Sequence, residues 1–135
     1  MRLLIINGPN LNLIGQRETE IYGKDSFESY FDELKVSNKV ELDYFQSNIE
    51  GELINALQKS NHDGIILNAG GYTHTSVALR DCVVAINLPV VEVHISNIMQ
   101  RESFRHISVI SEVAEGCIFG FGLKSYQLAI DYFIS

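Results

Sequence analysis

A chain of 135 residues, 46% of them hydrophobic, can build one sizeable core and no second one, so a single domain spanning residues 1–135 is expected. A formal net charge of -7 excludes a protein whose main business is gripping nucleic acid by its phosphates, and leaves room only for a local basic pocket. No apolar run approaches the length of a bilayer span, and residues 1–6 are too short for a signal peptide and lack a small-residue cleavage site; a cytoplasmic protein without a membrane partner is the expectation.

Residues 3–6 form a continuous apolar run, the mark of a strand covered on both faces, and residues 7–15 then read as a polar turn. Asp25 or Ser26 can cap a helix with Phe27, Tyr30, Phe31 and Leu34 on one side, ended by Asn38. Val40, Leu42 and Tyr44 alternate with Glu41, Asp43 and Phe45, which predicts a half-exposed strand at a sheet edge. Asn48 or Glu50 leads the next helix, with Ile49, Leu53, Ile54 and Leu57 inward and an end near Ser60 and Asn61. Ile65, Ile66 and Leu67, opened by Asp63 and Gly64, read as a fully buried parallel strand. Residues 68–76 follow it, with Thr73, Thr75 or Ser76 as caps for a helix over 75–86 that carries Val77, Ala78 and Val84. Pro89 opens a fourth strand over 90–95, and a short helix over 99–104 and a polar loop come next. A fifth strand at 117–119, a turn at 120–122 and a closing amphipathic helix over 124–134 with Tyr126, Leu128, Ala129, Tyr132 and Phe133 complete the pattern. Strands alternating with helices predict an α/β, flavodoxin-like, doubly wound domain whose five-stranded parallel sheet has the order 2-1-3-4-5.

In such a sheet ligands settle at the carboxyl ends of the strands, so residues 7–12, 68–74 and 92–97 converge on one pocket for a small, oxygen-rich anion. The two-residue period of a strand places Glu92 and His94 on one face and Val91 and Val93 on the other; a carboxylate there can fix the imidazole's tautomer and make it a usable acid near neutrality. Residues 15–23 are bounded by glycines and lack an apolar period, which reads as a flap over that pocket. If Arg17 and Tyr22 fold inward, the guanidinium favours the phenolate, with Arg101 or Arg105 available as a second cation.

Other chemistries fail on residue type. A flavodoxin proper would want hydroxyls after its first strand, and a receiver domain an Asp where Asn68 stands. G-x-G-x-x-G and the P-loop pattern are both absent. Lys24, Lys35, Lys39, Lys59 and Lys124 all lie in polar or helix-start contexts, unsuited to a Schiff base. The four His show no metal-ligand spacing, and Cys82 and Cys117 read as buried free thiols, so no metal site is expected.

Several blocks recur in order and closely resemble the type II 3-dehydroquinate dehydratases. They are N-G-P-N-L-N with G-Q-R-E-x-x-I-Y-G, F-Q-S-N-x-E-G-E-L-I at 45–54, I-L-N-A-G-G-Y-T-H-T-S-V-A-L-R-D at 66–81, V-E-V-H-I-S-N at 91–97, R-E-S-F-R-H at 101–106 and G-F-G-L-K-S-Y at 120–126. The resemblance implies anti elimination of water from 3-dehydroquinate to give 3-dehydroshikimate through an enolate, in the shikimate pathway, with no cofactor. By the same match Tyr22, activated by Arg17, is the base; a water tied to Asn10 holds the enolate; and His94, oriented by Glu92 and assisted by Asn68, is the acid. Ile95 and Ser96 would take the substrate carboxylate, Asn68, His74 and Arg105 its hydroxyls, and Arg101 would close over the site. A homododecamer built from trimers is also implied, with Asp81 reaching a neighbouring subunit's site. The departures are Thr19 in place of a common Pro, a first-helix region over 27–39 that is a few residues short, and Ile107 in place of a polar residue. The rival reading is a non-catalytic flavodoxin-like module that keeps the pocket.

Overall fold

The computed structural model describes residues 1–16 and 26–135. Five strands, β1 (Arg2–Asn7), β2 (Glu41–Gln46), β3 (Gly64–Asn68), β4 (Val90–His94) and β5 (Gly116–Phe119), form one sheet in the order 2-1-3-4-5. Every pairing is parallel, as expected from strands separated by helices. The continuous apolar runs lie in the interior of the sheet: β3 and β4 are buried at every position, and β1 at all but its first residue. The alternating segment β2 is an edge strand, with Leu42 inward and Glu41 and Asp43 exposed.

Because side chains alternate across a strand, the sheet has two cores. Leu3, Ile5, Ile66, Val91 and Val93 face one side, where α1 (Phe27–Ser37) and α4 (Lys124–Ile134) bring Phe27, Leu34, Tyr126, Ala129 and Ile130. Leu4, Ile6, Ile65, Leu67 and Val90 face the other, covered by Leu53 and Leu57 of α2 (Glu50–Lys59) and by Leu79, Cys82 and Val83 of α3 (Val77–Ala85). Each fully buried Leu or Ile contributes about 1.5–3 kcal/mol of transfer free energy. Two of the expected caps form: Ser26 Oγ accepts from Ser29 N at 3.1 Å, and Ser76 Oγ from Leu79 N at 2.9 Å.

Several local expectations are corrected. Neither Asn48 nor Glu50 caps α2; Ile49 occupies the N-cap position with no side-chain cap and is 59% exposed, while Ser47 Oγ accepts from its backbone N–H. In α3 it is Leu79, Cys82 and Val83 that point inward, and Val77 and Val84 are exposed. The segment expected between β3 and α3 takes the form of a 3-10 turn, Gly70–His74. In place of a helix over 99–104 there are two 3-10 turns, Ile98–Gln100 and Ser103–Arg105, because Arg101 between them takes extended backbone angles. In α4 Ile130 is buried where Tyr132 was expected, and Tyr132 is exposed.

Candidate active site

The carboxyl ends of β1 and β3 are joined backbone to backbone. Asn7 and Asn68 are register partners, and Gly8 N–H donates to Asn68 O at 2.7 Å. A Cβ on Gly8 would lie 2.6 Å from Ala69 O, so no other residue allows this approach. Gly70 turns the chain beside Pro9 at a positive φ of 61°, and Asn10 adopts the left-handed conformation that asparagine tolerates, its N–H donating to Asn48 Oδ1.

Beneath this junction lies a buried chain of amides and phenols. Asn68 Nδ2 donates to Tyr126 Oη at 2.9 Å, Tyr126 donates to Asn7 Oδ1 at 2.7 Å, and Asn7 Nδ2 to Tyr44 Oη at 3.3 Å. Asn68 Oδ1 accepts from Gly70 N, so the orientation of its amide is fixed at both ends.

On the next strand Glu92 and His94 share a face, as the strand period requires, and are hydrogen bonded through Glu92 Oε2 and His94 Nε2. Thr73 Oγ1 donates to Glu92 Oε2 at 3.1 Å, Ser111 Oγ to Oε1 at 2.6 Å, and Ser108 Oγ lies 2.9 Å from both oxygens. Burial pushes the Glu92 carboxyl up, but the His94 imidazole, as donor and as charge, outweighs it together with the Ser111 and Ser108 hydroxyls. The group ends below the usual carboxylate range. His74 lies parallel to His94 with ring centroids 6.4 Å apart, and its Nδ1 donates to Ile107 O at 2.8 Å, which fixes the ring's orientation.

Cys117 reaches the same cluster from β5, where Glu92 and Cys117 are register partners. One ligand atom each of Glu92, His94 and Cys117 lies within 4.8 Å of the others, a donor set that could suit zinc. The Glu92 oxygens are already taken by three hydroxyls and an imidazole, and burial, with the Glu92 charge, pushes the Cys117 thiol up to about 11. A carboxylate whose oxygens already accept from three hydroxyls and an imidazole fits a hydrogen-bonded cluster better than a metal centre.

These groups open onto a cavity of about 200 Å³. Among the described residues its wall includes Asn10, Asn68, His74 and His94 together with Ile95, Ser96, Arg101 and Arg105. Arg101 Nη1 donates to Ser96 Oγ at 3.4 Å, and Arg105 Nε to Glu102 at 3.0 Å. Leu11, Ile14 and Ile98 supply the apolar part of the wall. Two guanidinium groups, two imidazoles and two amides around so small a space suit an oxygen-rich anion. Glu92 is fully buried behind His94, and Asp81 stands exposed on α3 without lining this cavity. Arg17, Thr19 and Tyr22, and with them most of the expected flap, lie outside the described residues.

Sequence reasoning missed Thr73, Ser108, Ser111 and Cys117. Thr73 was expected as a helix cap, but its hydroxyl turns to Glu92 and Ser76 caps α3. Cys117 is half-buried rather than buried. The strand order 2-1-3-4-5 already puts β5 beside β4 and was the available signal for it; no period announces the two serines.

This is a flavodoxin-like α/β protein whose sheet carries, at its carboxyl rim, a pocket walled by imidazole, guanidinium and amide groups. A family profile described as dehydroquinase class II matches residues 1–134. The chain is 52% identical to a 3-dehydroquinate dehydratase of Prochlorococcus marinus over 100% of this chain and 97% of the relative, and 54% identical to one of Exiguobacterium sp. over 96% and 92%. It superposes on the crystal structure of type II dehydroquinase from Butyrivibrio crossotus with a TM-score of 0.95, at 45% identity over 100% of this chain and 98% of that one. The chain belongs to the class II dehydroquinase family.

Proposed function

We propose that this protein is a 3-dehydroquinate dehydratase, a hydro-lyase that converts 3-dehydroquinate to 3-dehydroshikimate and water in the shikimate pathway. The observation that carries the reading is that His94, backed by the buried Glu92 carboxylate, lines the same small cavity as Asn10, Asn68, His74, Arg101 and Arg105. The family match over residues 1–134 and the names of relatives at about 50% identity support it independently. The mechanism joins these groups to Arg17 and Tyr22, whose roles come from the family resemblance. Tyr22, made acidic by Arg17, removes the proton beside the ketone, and the C–H electrons pass into an enolate held by a water on Asn10. As the carbonyl re-forms, the C–O bond on the opposite face breaks and His94 delivers the proton that turns the departing hydroxyl into water. Ile95 and Ser96 take the carboxylate, Asn68, His74 and Arg105 the hydroxyls, and Arg101 closes over the ligand. None of these steps calls on a cofactor.

The finer parts of the reading are a single domain over residues 1–135, residence in the cytoplasm and a homododecamer assembled as a tetramer of trimers. The exposed apolar side chains of Phe104, Ile107 and Phe121 support an assembly, and so does Asp81, which is exposed and does not line its own chain's cavity. No helix among the described residues is long and apolar enough to cross a membrane.

The direct test adds 3-dehydroquinate to the pure protein and follows the ultraviolet absorbance of the conjugated enone. Absorbance must grow; a flat trace with retained ligand binding would instead identify a non-catalytic binding module. Tyr22→Phe should keep ligand binding and remove most turnover, and unchanged turnover would refute the proposed base. Light scattering should give the mass of a dodecamer.

A further inference from the structure

The loop after the second arginine touches the site at two points without lining the cavity. Ile107 O holds His74 Nδ1, and two residues further the chain is pinned by Val109 N–H to Thr73 O at 2.9 Å and by Arg80 to Val109 O at 2.9 Å. Between and beyond these contacts stand Ser108 and Ser111. Ser108 Oγ accepts from Ile110 N–H at 3.1 Å and from Ser111 N–H at 3.0 Å, which uses both of its lone pairs. Its single proton therefore goes to Glu92, whose two oxygens are both 2.9 Å away. Ser111 adds a second hydroxyl on Oε1. A carboxyl group fully removed from water favours its neutral form unless donors converge on it, and here they do.

We infer that Ser108 and Ser111 are positioning residues for the dehydration: their hydroxyls hold Glu92 as a carboxylate, which keeps a proton on His94 Nε2 and leaves Nδ1 as the nitrogen that serves the substrate. The inference deepens the dehydratase reading and rests on it for its kinetic part. If Glu92 were neutral, its own proton could occupy the bond to Nε2, and the imidazole, which must carry a proton on Nδ1 as well as on Nε2 to act as the acid, would lose the anionic partner that stabilises the doubly protonated ring. The titratable groups facing Glu92 are His94 on its own strand and Cys117 from β5, with His74 stacked on His94; Glu112 of the same loop is taken up by Arg80 at 3.2 Å.

The test compares the unmodified enzyme with Ser108→Ala/Ser111→Ala and with Ser108→Thr. Glutamate carboxyl carbons are labelled, and the Glu92 signal, assigned through Glu92→Gln, is titrated in the ligand-free protein. Losing two of its donors should raise the Glu92 midpoint by about one pH unit or more. The acidic limb of the kcat profile with 3-dehydroquinate should move up by the same shift while KM changes little, and Ser108→Thr should keep the original profile. If the double variant does not fold, Ser111→Ala alone should show the same displacement at smaller size. A folded variant whose Glu92 midpoint stays where the unmodified enzyme has it, or whose kcat falls at all pH values without a displaced limb, overturns the inference. An unmodified protein that does not turn over 3-dehydroquinate would overturn the dehydratase reading instead, and the carboxyl titration would still decide the role of the serines.

Discussion

Asn68 donates its side-chain N–H to the hydroxyl of Tyr126 at 2.9 Å, and through that bond a residue of the closing helix sets which way the amide at the cavity wall points. Tyr126 has no exposure, and its own proton is committed to Asn7. Burial pushes the phenol far up, so it acts here as a neutral relay of hydrogen bonds and not as an acid. Tyr126→Phe removes one oxygen and orphans Asn7 Oδ1 and one Asn68 proton. The expected loss of stability is about 1–3 kcal/mol, read by chemical denaturation, with a raised KM for 3-dehydroquinate as the Asn68 amide is freed to turn.

His94→Ala removes the proposed acid and should lower kcat by about 10²–10⁴-fold with KM little changed, in steady-state assays. Glu92→Gln is the finer probe, since it keeps the shape of the side chain and loses the charge. The imidazole then faces a neutral amide, and kcat should fall by about 10²-fold, with ligand binding measured by calorimetry retained.

Gly8→Ala tests the junction of β1 and β3. The added methyl would meet a backbone oxygen at 2.6 Å, which cannot rotate away as a flexible side chain could. The strands must separate, and the expected cost is about 1–3 kcal/mol in denaturation together with weakened substrate binding.

Stability should fall at both ends of the pH scale for separate reasons. The Glu92 pKa is depressed in the folded state, so its contribution is present above the ordinary carboxylate pKa and is lost as pH falls through the lower folded value. Tyr44 is pushed up to about 12 by burial, partly offset by Asn7. Its contribution is therefore full below the ordinary tyrosine pKa of about 10 and disappears as pH rises toward the folded value. Thermal melts of Glu92→Gln should show a shallower acid-side slope than the unmodified protein, and Tyr44→Phe a shallower alkaline one.

What the sequence discloses depends on whether a contact follows from a period. Ile65, Ile66 and Leu67 mark a buried strand, and Glu92 and His94 share a face because strands repeat every two residues. The strand order placed Asn10, Asn68, His74 and His94 at one rim, and they line one cavity. Ile49 and Tyr132 defeat the helical period because each lies at or near a helix end, where apolar side chains need not face the sheet. The setting of Glu92 was invisible for another reason: Ser108 and Ser111 reach it from an irregular loop whose path is fixed by Arg80, Thr73 and the backbone, none of which leaves a pattern in the chain. Arg17 and Tyr22 rest on the resemblance alone, since they lie outside the described residues.

The bond from Tyr126 to Asn7 spans 119 positions of the sequence. As the chain leaves the ribosome, the sheet can pair strand by strand, yet the two asparagines gain their shared partner only after the eleven-residue α4 has emerged. A chain without that helix leaves Asn7 Oδ1 and the Asn68 side-chain N–H without this partner, so the competence of the pocket to bind waits on α4.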